Sequence, residues 1–109
     1  MASFRLHSRH WLVDEKGRII IGEGRMAILE NIEKTGSINL TAKMMKMSYK
    51  GVWSKIKATE DYMKVKIVQS NRKQGSALTK EGKDLLRNYR ALKEKCTKAD
   101  DRIFKSIFP

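Results

Sequence analysis

At 109 residues, with 24 Lys/Arg against 12 Asp/Glu and a net charge of +12, the chain is long enough for one modest core and too short for two. Its one cysteine, Cys96, excludes an internal disulfide framework and a cysteine-based zinc site, and no apolar run approaches the length needed to span a bilayer. The basic surplus is uneven: residues 36–80 hold ten Lys/Arg and two acids, so the middle of the chain is where a polyanion would be met.

In chain order, Phe4 to Val13 carries Phe, Leu, Trp, Leu and Val in partial alternation. Asp14-Glu15-Lys16-Gly17 is a turn signal, and Arg18-Ile19-Ile20-Ile21 is a β-branched run that stops at Gly22. The pattern predicts an N-terminal hairpin over 1–22. Two strands alone are marginal in water, so the hairpin must either cover the helical core or meet a second subunit. His7 and His10 are three apart, a poor spacing for a shared strand face, and read as surface or edge-strand residues.

Glu23 to Thr35 reads as a helix. An acid sits in the first turn, where the helix dipole favours it, Ile28, Leu29 and Ile32 form an apolar face, and Gly36 stops the helix. Two short helices joined by a tight turn follow over Ser37–Tyr62. The first is capped by Ser37 or Asn39 and runs through Ala42 and Met45. The second starts at Ser48, whose hydroxyl can accept from an orphan backbone N–H. Val52, Ile56 and Thr59 give the second helix one buried stripe. Tyr49, Lys50, Ser54 and Lys57 then fall on or beside the opposite face, the kind of outward surface a major-groove reader presents. Trp53 lies one residue off the buried stripe, where it either closes the edge of the core, the favoured reading, or presents its indole beside the DNA. Glu60-Asp61 reads as a solvated patch at the helix end. Together, residues 23–62 are expected to form a three-helix core of helix-turn-helix type.

Residues 63–79 predict a second hairpin, or wing. Val65–Ser70 is one strand, 71–76 a polar loop bearing Arg72, Lys73 and Gln74, and Ala77–Thr79 a short return strand. Such a loop can lie along phosphates or dip into a minor groove. Thr79 then caps a final helix over 80–109, helical to about Lys105. Its apolar positions Leu85, Tyr89, Leu92, Cys96, Ala99 and Ile103 are spaced as a heptad seam, which predicts pairing with a second copy.

These stretches resemble the N-terminal DNA-binding domain of the ModE family of molybdate-dependent regulators, relatives of the LysR-type winged helices. The likeness lies in GEGRMAILENIEKTGSINLTAKMMKMSYKGVW (Gly22 to Trp53) and in SALTKEGKDLL (Ser76 to Leu86), with the hairpin WLVDEKGRIIIGEGR leading in. It is strongest in the TGSI and MSYK–x–x–W elements and touches nearly the whole chain. It implies a winged helix-turn-helix but not molybdate sensing, because the family's molybdate-binding domain has no counterpart here. Two departures stand out. Lys46 occupies the turn position where the family usually has Gly, and the wing tip has only Gly75 where the family's is glycine-rich.

The expected fold is therefore mainly α with small β-hairpins: a single winged helix-turn-helix domain over 1–109 with a long C-terminal dimerisation helix. The expected function is sequence-specific regulation of transcription by a cytoplasmic homodimer that binds double-stranded DNA. A nucleoid-associated protein or a protein-interaction module remains the alternative. The recognition helix would be 48–62, with Ser48, Tyr49, Lys50, Ser54 and Lys57 at the groove. Ser37, Asn39, Thr41 and Lys43 would meet the backbone from the preceding helix, and Arg72, Lys73 and Gln74 from the wing. No catalytic constellation, metal-ligand set or cofactor motif is evident.

Overall fold

A computed structural model describes residues 3–109, with eight elements in the order β1 (Leu12–Val13), β2 (Ile19–Ile21), α1 (Glu23–Thr35), α2 (Ile38–Met44), α3 (Tyr49–Met63), β3 (Val68–Asn71), β4 (Gly75–Leu78) and α4 (Lys80–Ile107). The first two residues of the expected 1–22 segment lie outside the described residues. Each hairpin is a separate two-stranded antiparallel sheet. The architecture is a winged helix-turn-helix with a long C-terminal helix, as the residue pattern predicts.

The first turn is built by Asp14, whose carboxylate accepts from the Lys16 and Arg18 amides and from the Arg18 guanidinium, with Gly17 at φ +79°. Partial desolvation pushes the Asp14 carboxyl up, but those hydrogen bonds outweigh it and hold the group below the ordinary carboxylate range. Strand β2 turns inward. Ile21 is fully buried, and the Thr59 hydroxyl of α3 donates to the Ile20 carbonyl at 2.7 Å. Of the two partners open to the hairpin, this strand takes the helical core.

The strand expected over Phe4–Val13 contracts to Leu12–Val13. The residues before it have no strand partner and run instead beside α4. The Tyr89 hydroxyl donates to the His10 carbonyl at 2.5 Å, His10 Nε2 lies 3.0 Å from the Asp100 carboxylate, and the Phe4 and Phe108 rings meet edge to face at 5.9 Å. His10 is thus half-buried in a tertiary contact rather than set on an edge strand.

Helix α1 has the expected bounds, buries Ile28, Leu29 and Ile32, and ends where Gly36 turns left-handed at φ +70° and donates to the Ile32 carbonyl. Ser37, not Asn39, caps α2, its hydroxyl accepting from the Leu40 amide. After Met44 the chain turns through Lys46 at φ +55°, letting the Met47 amide reach back to the Ala42 carbonyl. A side chain in this conformation costs about 1 kcal/mol, which glycine avoids. Lys46→Gly should therefore stabilise the fold by up to about 1 kcal/mol, seen as a higher urea midpoint at unchanged m value. A lower midpoint would show that the turn carries no strain.

The core gathers Ile21, Ile28, Leu29, Ile32, Ile38, Ala42, Val52, Ile56, Ile67, Val68, Leu78, Leu86 and Tyr89, so both hairpins and all four helices contribute. Two side chains of α3 depart from expectation. Trp53 is 46% exposed, outside the core, because it projects about 100° away from the Val52/Ile56/Thr59 stripe. Glu60, expected to be solvated, is only 6% exposed. Its Oε2 accepts from the amides of Ile67 (2.9 Å) and Val68 (3.2 Å), and Oε1 lies 3.7 Å from Lys57 Nζ. This carboxylate satisfies backbone donors that a strand partner would otherwise have met, so β3 starts at Val68 rather than Val65.

Helix α4 is capped by Thr79, whose hydroxyl accepts from the Gly82 amide and donates to the Lys66 carbonyl. It continues two residues past Lys105. The heptad seam is divided. Tyr89 is 1% exposed and Leu85 packs on the domain's own core, so these two are not available to a partner helix. Leu92 and Ile103 remain exposed, with Cys96 and Ala99 half-buried between them.

Candidate nucleic-acid interface

The site is built on the amino end of α3. Ser48 adopts an extended conformation and its hydroxyl accepts from the Gly51 amide at 2.9 Å, leaving other first-turn N–H groups pointing outward with the positive end of the helix dipole. Tyr49, Lys50 and Ser54 are all exposed, Tyr49 by 49%. The Ser54 hydroxyl already donates to the Gly51 carbonyl at 3.0 Å, so as it stands only its acceptor capacity is unspent. Lys57 is half-buried between Glu60 and the face of Trp53, its Nζ 6.0 Å from the ring centroid.

The wing stands beside this end. Strands β3 and β4 pair from Val68↔Leu78 to Asn71↔Gly75, and the Ser70 and Ser76 hydroxyls meet at 2.9 Å. The tip is shaped by Asn71, whose side chain accepts from the Lys73 amide, and by Gly75 at φ +80°. The Ser76 amide donates to the Gly36 carbonyl at 2.8 Å, and a Cβ on Gly75 would stand only 2.5 Å from that oxygen. The wing root is thereby locked against the loop that starts α2. One cleft results, bringing Ser37, Asn39, Tyr49, Asn71 and Arg72 together.

Not every expected residue joins it. Thr41 is fully buried, its hydroxyl 3.4 Å from that of Thr35, so it belongs to the α1–α2 packing and cannot meet a backbone phosphate. Lys43 is exposed on α2 away from the residues lining the cleft, and Lys73 and Gln74 are exposed at the wing tip beyond it. Ser37 and Ser48 each use a hydroxyl lone pair as a cap, which leaves the O–H of each able to donate. Asn71 lines the cleft although the sequence did not single it out, and half-exposed Trp53 takes the outward of its two expected placements, in the neighbouring groove. Asn71 carried a signal in its position beside Arg72 at the turn, and Trp53 in lying one helical turn after Tyr49.

The charge of this stretch is mainly basic, ten Lys/Arg against two acids over residues 36–80. The two acids of residues 36–80 are Glu60, withdrawn into backbone hydrogen bonds, and Asp61, exposed in the last turns of α3. Among the described residues, Lys50 on α3 and Arg72 and Lys73 on the wing are exposed and form no ion pair. Among the described residues no group of three His, Cys, Asp or Glu side chains could hold a metal ion, and no helix is long and apolar enough to cross a membrane.

Residues 24–83 match the model of the bacterial regulatory helix-turn-helix proteins of the lysR family. The chain belongs to the LysR family. The matched span takes in α1, the helix pair, the wing and the start of α4, and encloses most of the residues that carry the ModE-like resemblance. This LysR-family chain is 32% identical over 87 residues to the molybdenum transport protein ModE of Azotobacter vinelandii, an alignment covering 76% of the chain and 32% of ModE. It thus spans about a third of the length of that relative. In fold it is similar to CbnR, whose DNA-binding domain has been crystallised in complex with DNA. The TM-score is 0.62 at 19% identity, over 76% of this chain and 94% of that one. It is also similar to ArgP from Mycobacterium tuberculosis, with a TM-score of 0.53 at 25% identity over 72% of this chain and 30% of ArgP.

Proposed function

We propose that this chain is the DNA-reading unit, over 1–109, of a sequence-specific transcriptional regulator that acts as a cytoplasmic homodimer and has no catalytic activity of its own. The observation that carries this reading is the exposed amino end of α3, free of acids and flanked by the locked wing with Arg72 and Lys73 at its tip. Tyr49 and Lys50 enter the major groove, with Ser54 and Lys57 further along. Ser37, Asn39 and Lys43 approach one phosphate strand, and Arg72, Lys73 and Gln74 approach the other or the adjoining minor groove. The two copies pair through the distal part of the seam, Leu92, Cys96, Ala99 and Ile103, since the proximal residues are taken up by the domain itself. A dyad then sets the recognition helices about 34 Å apart, one turn of duplex, or a multiple of it.

Selection of bound duplexes from random DNA tests this. A two-fold related consensus is expected, whereas equal affinity for every sequence at every salt concentration would identify a coating protein instead. Replacing Arg72 and Lys73 by Ala should lower the slope of log Kobs against log salt by about 1 for each cation removed while leaving the consensus unchanged. An unaltered slope would take the wing off the phosphates.

A further inference from the structure

Trp53 is a large apolar ring left 46% exposed on α3, the helix that also carries Lys50, Lys55 and Lys57. It lies one helical turn beyond Tyr49 and one before Lys57, in the groove between α3 and the wing whose floor is Ile38, Ile56 and Val68 and whose far rim carries Gln69. Its indole face is not closed by the core; Lys57 Nζ lies over it, 6.0 Å from the ring centroid, and Lys66 and the largely buried Glu60 line the same groove. A half-exposed ring gains by losing water against a partner, and the lysines on its helix favour a polyanion over an apolar protein surface. In the major groove of a duplex the one apolar group on the base edges is the 5-methyl of thymine.

We infer that Trp53 is a specificity-determining residue, packing its indole against a thymine methyl one helical turn beyond the base pair met by Tyr49 and Lys50. The inference rests on α3 entering the major groove, as proposed above. The polar side chains around it are already partly committed within the protein. The Ser48 hydroxyl is engaged as a cap, the Ser54 hydroxyl donates to its own helix, and Lys57 is drawn toward Glu60. Shape and apolar contact by Trp53 therefore add discrimination at the second turn of α3 beyond what Ser54 and Lys57 retain. Uracil, which differs from thymine only by lacking the methyl, would present a bare edge to the ring.

The test uses the duplex enriched by the full chain from random DNA, with each dT replaced in turn by deoxyuridine. At one position in each half-site the wild-type protein should lose about fourfold in affinity, the worth of one buried methyl-sized group. The loss should vanish in Trp53→Ala, which binds the dT and deoxyuridine duplexes equally. Because that variant risks misfolding, Trp11→Phe provides a second measurement. It leaves Trp53 as the sole indole, whose emission should shift more on binding the dT duplex than the deoxyuridine duplex. Equal wild-type affinity for every deoxyuridine duplex, or an equal penalty in Trp53→Ala, overturns the inference while leaving the regulator reading intact. Enrichment of no sequence at all overturns both.

Discussion

Gly82→Ala should cost about 3 kcal/mol of folding stability or more, the largest effect expected of any single methyl added to this chain. Gly82 sits in the first turn of α4 with ordinary helical geometry, so backbone freedom is not the reason for it. A Cβ there would stand 2.1 Å from the Ile67 carbonyl oxygen and 3.0 Å from its carbon. That carbonyl cannot move away cheaply. It accepts from the Thr79 amide, the preceding carbonyl accepts from the Thr79 hydroxyl, and the Ile67 amide is held by buried Glu60. Displacing the segment would loosen the cap of α4, the wing root and the end of α3 together. Calorimetry should show the midpoint falling by at least about 12 °C. Gly24→Ala is the control, since a Cβ there meets nothing within 4 Å on the first turn of α1, and it should be neutral or mildly stabilising. Equal midpoints for the two variants would refute the close-approach account.

Lys50→Ala should relax the DNA preference rather than weaken binding evenly. Lys50 is exposed on the first turn of α3, and the acids of its helix, Glu60 and Asp61, lie more than two turns away. A lysine reaching the O6 and N7 of guanine is worth roughly 1–3 kcal/mol of discrimination, about five- to 150-fold at a single base pair. Repeating the selection with the variant should erase information at one position per half-site and leave the others standing. A uniform drop across all sequences would instead place Lys50 on the phosphates, the behaviour expected of Arg72 and Lys73.

Much of this fold can be read from local chemistry. Helix α1 was legible because its apolar spacing and its glycine stop agree, and α2, α3 and α4 because Ser37, Ser48 and Thr79 are caps whose hydroxyls are used as such. What failed to show was non-local. The Phe4–Trp11 stretch alternates like a strand, but its partners are Tyr89 and Asp100, some eighty to ninety residues away. Glu60 looked solvated beside Asp61 because the amides that claim it arrive only when the chain returns at Ile67 and Val68. Trp53 is of a residue type common in cores, yet its alignment with Tyr49 and Lys57 places it outside the buried stripe. The candidate site was legible as a set of exposed cations and hydroxyls. Burial removes Thr41 from it, because a threonine on a short helix is ambiguous until the neighbouring helix is in place.

The Glu60 carboxylate also bears on the mechanics of recognition. By bridging the last turns of α3 to the start of β3, while the Ser76 amide fastens the other wing strand to Gly36, it fixes the bite between helix and wing before any ligand arrives. A jaw of preset width has little to gain by adjusting itself. The compliance must come from the duplex, so sequences that bend or narrow their grooves cheaply should be favoured at positions no side chain touches.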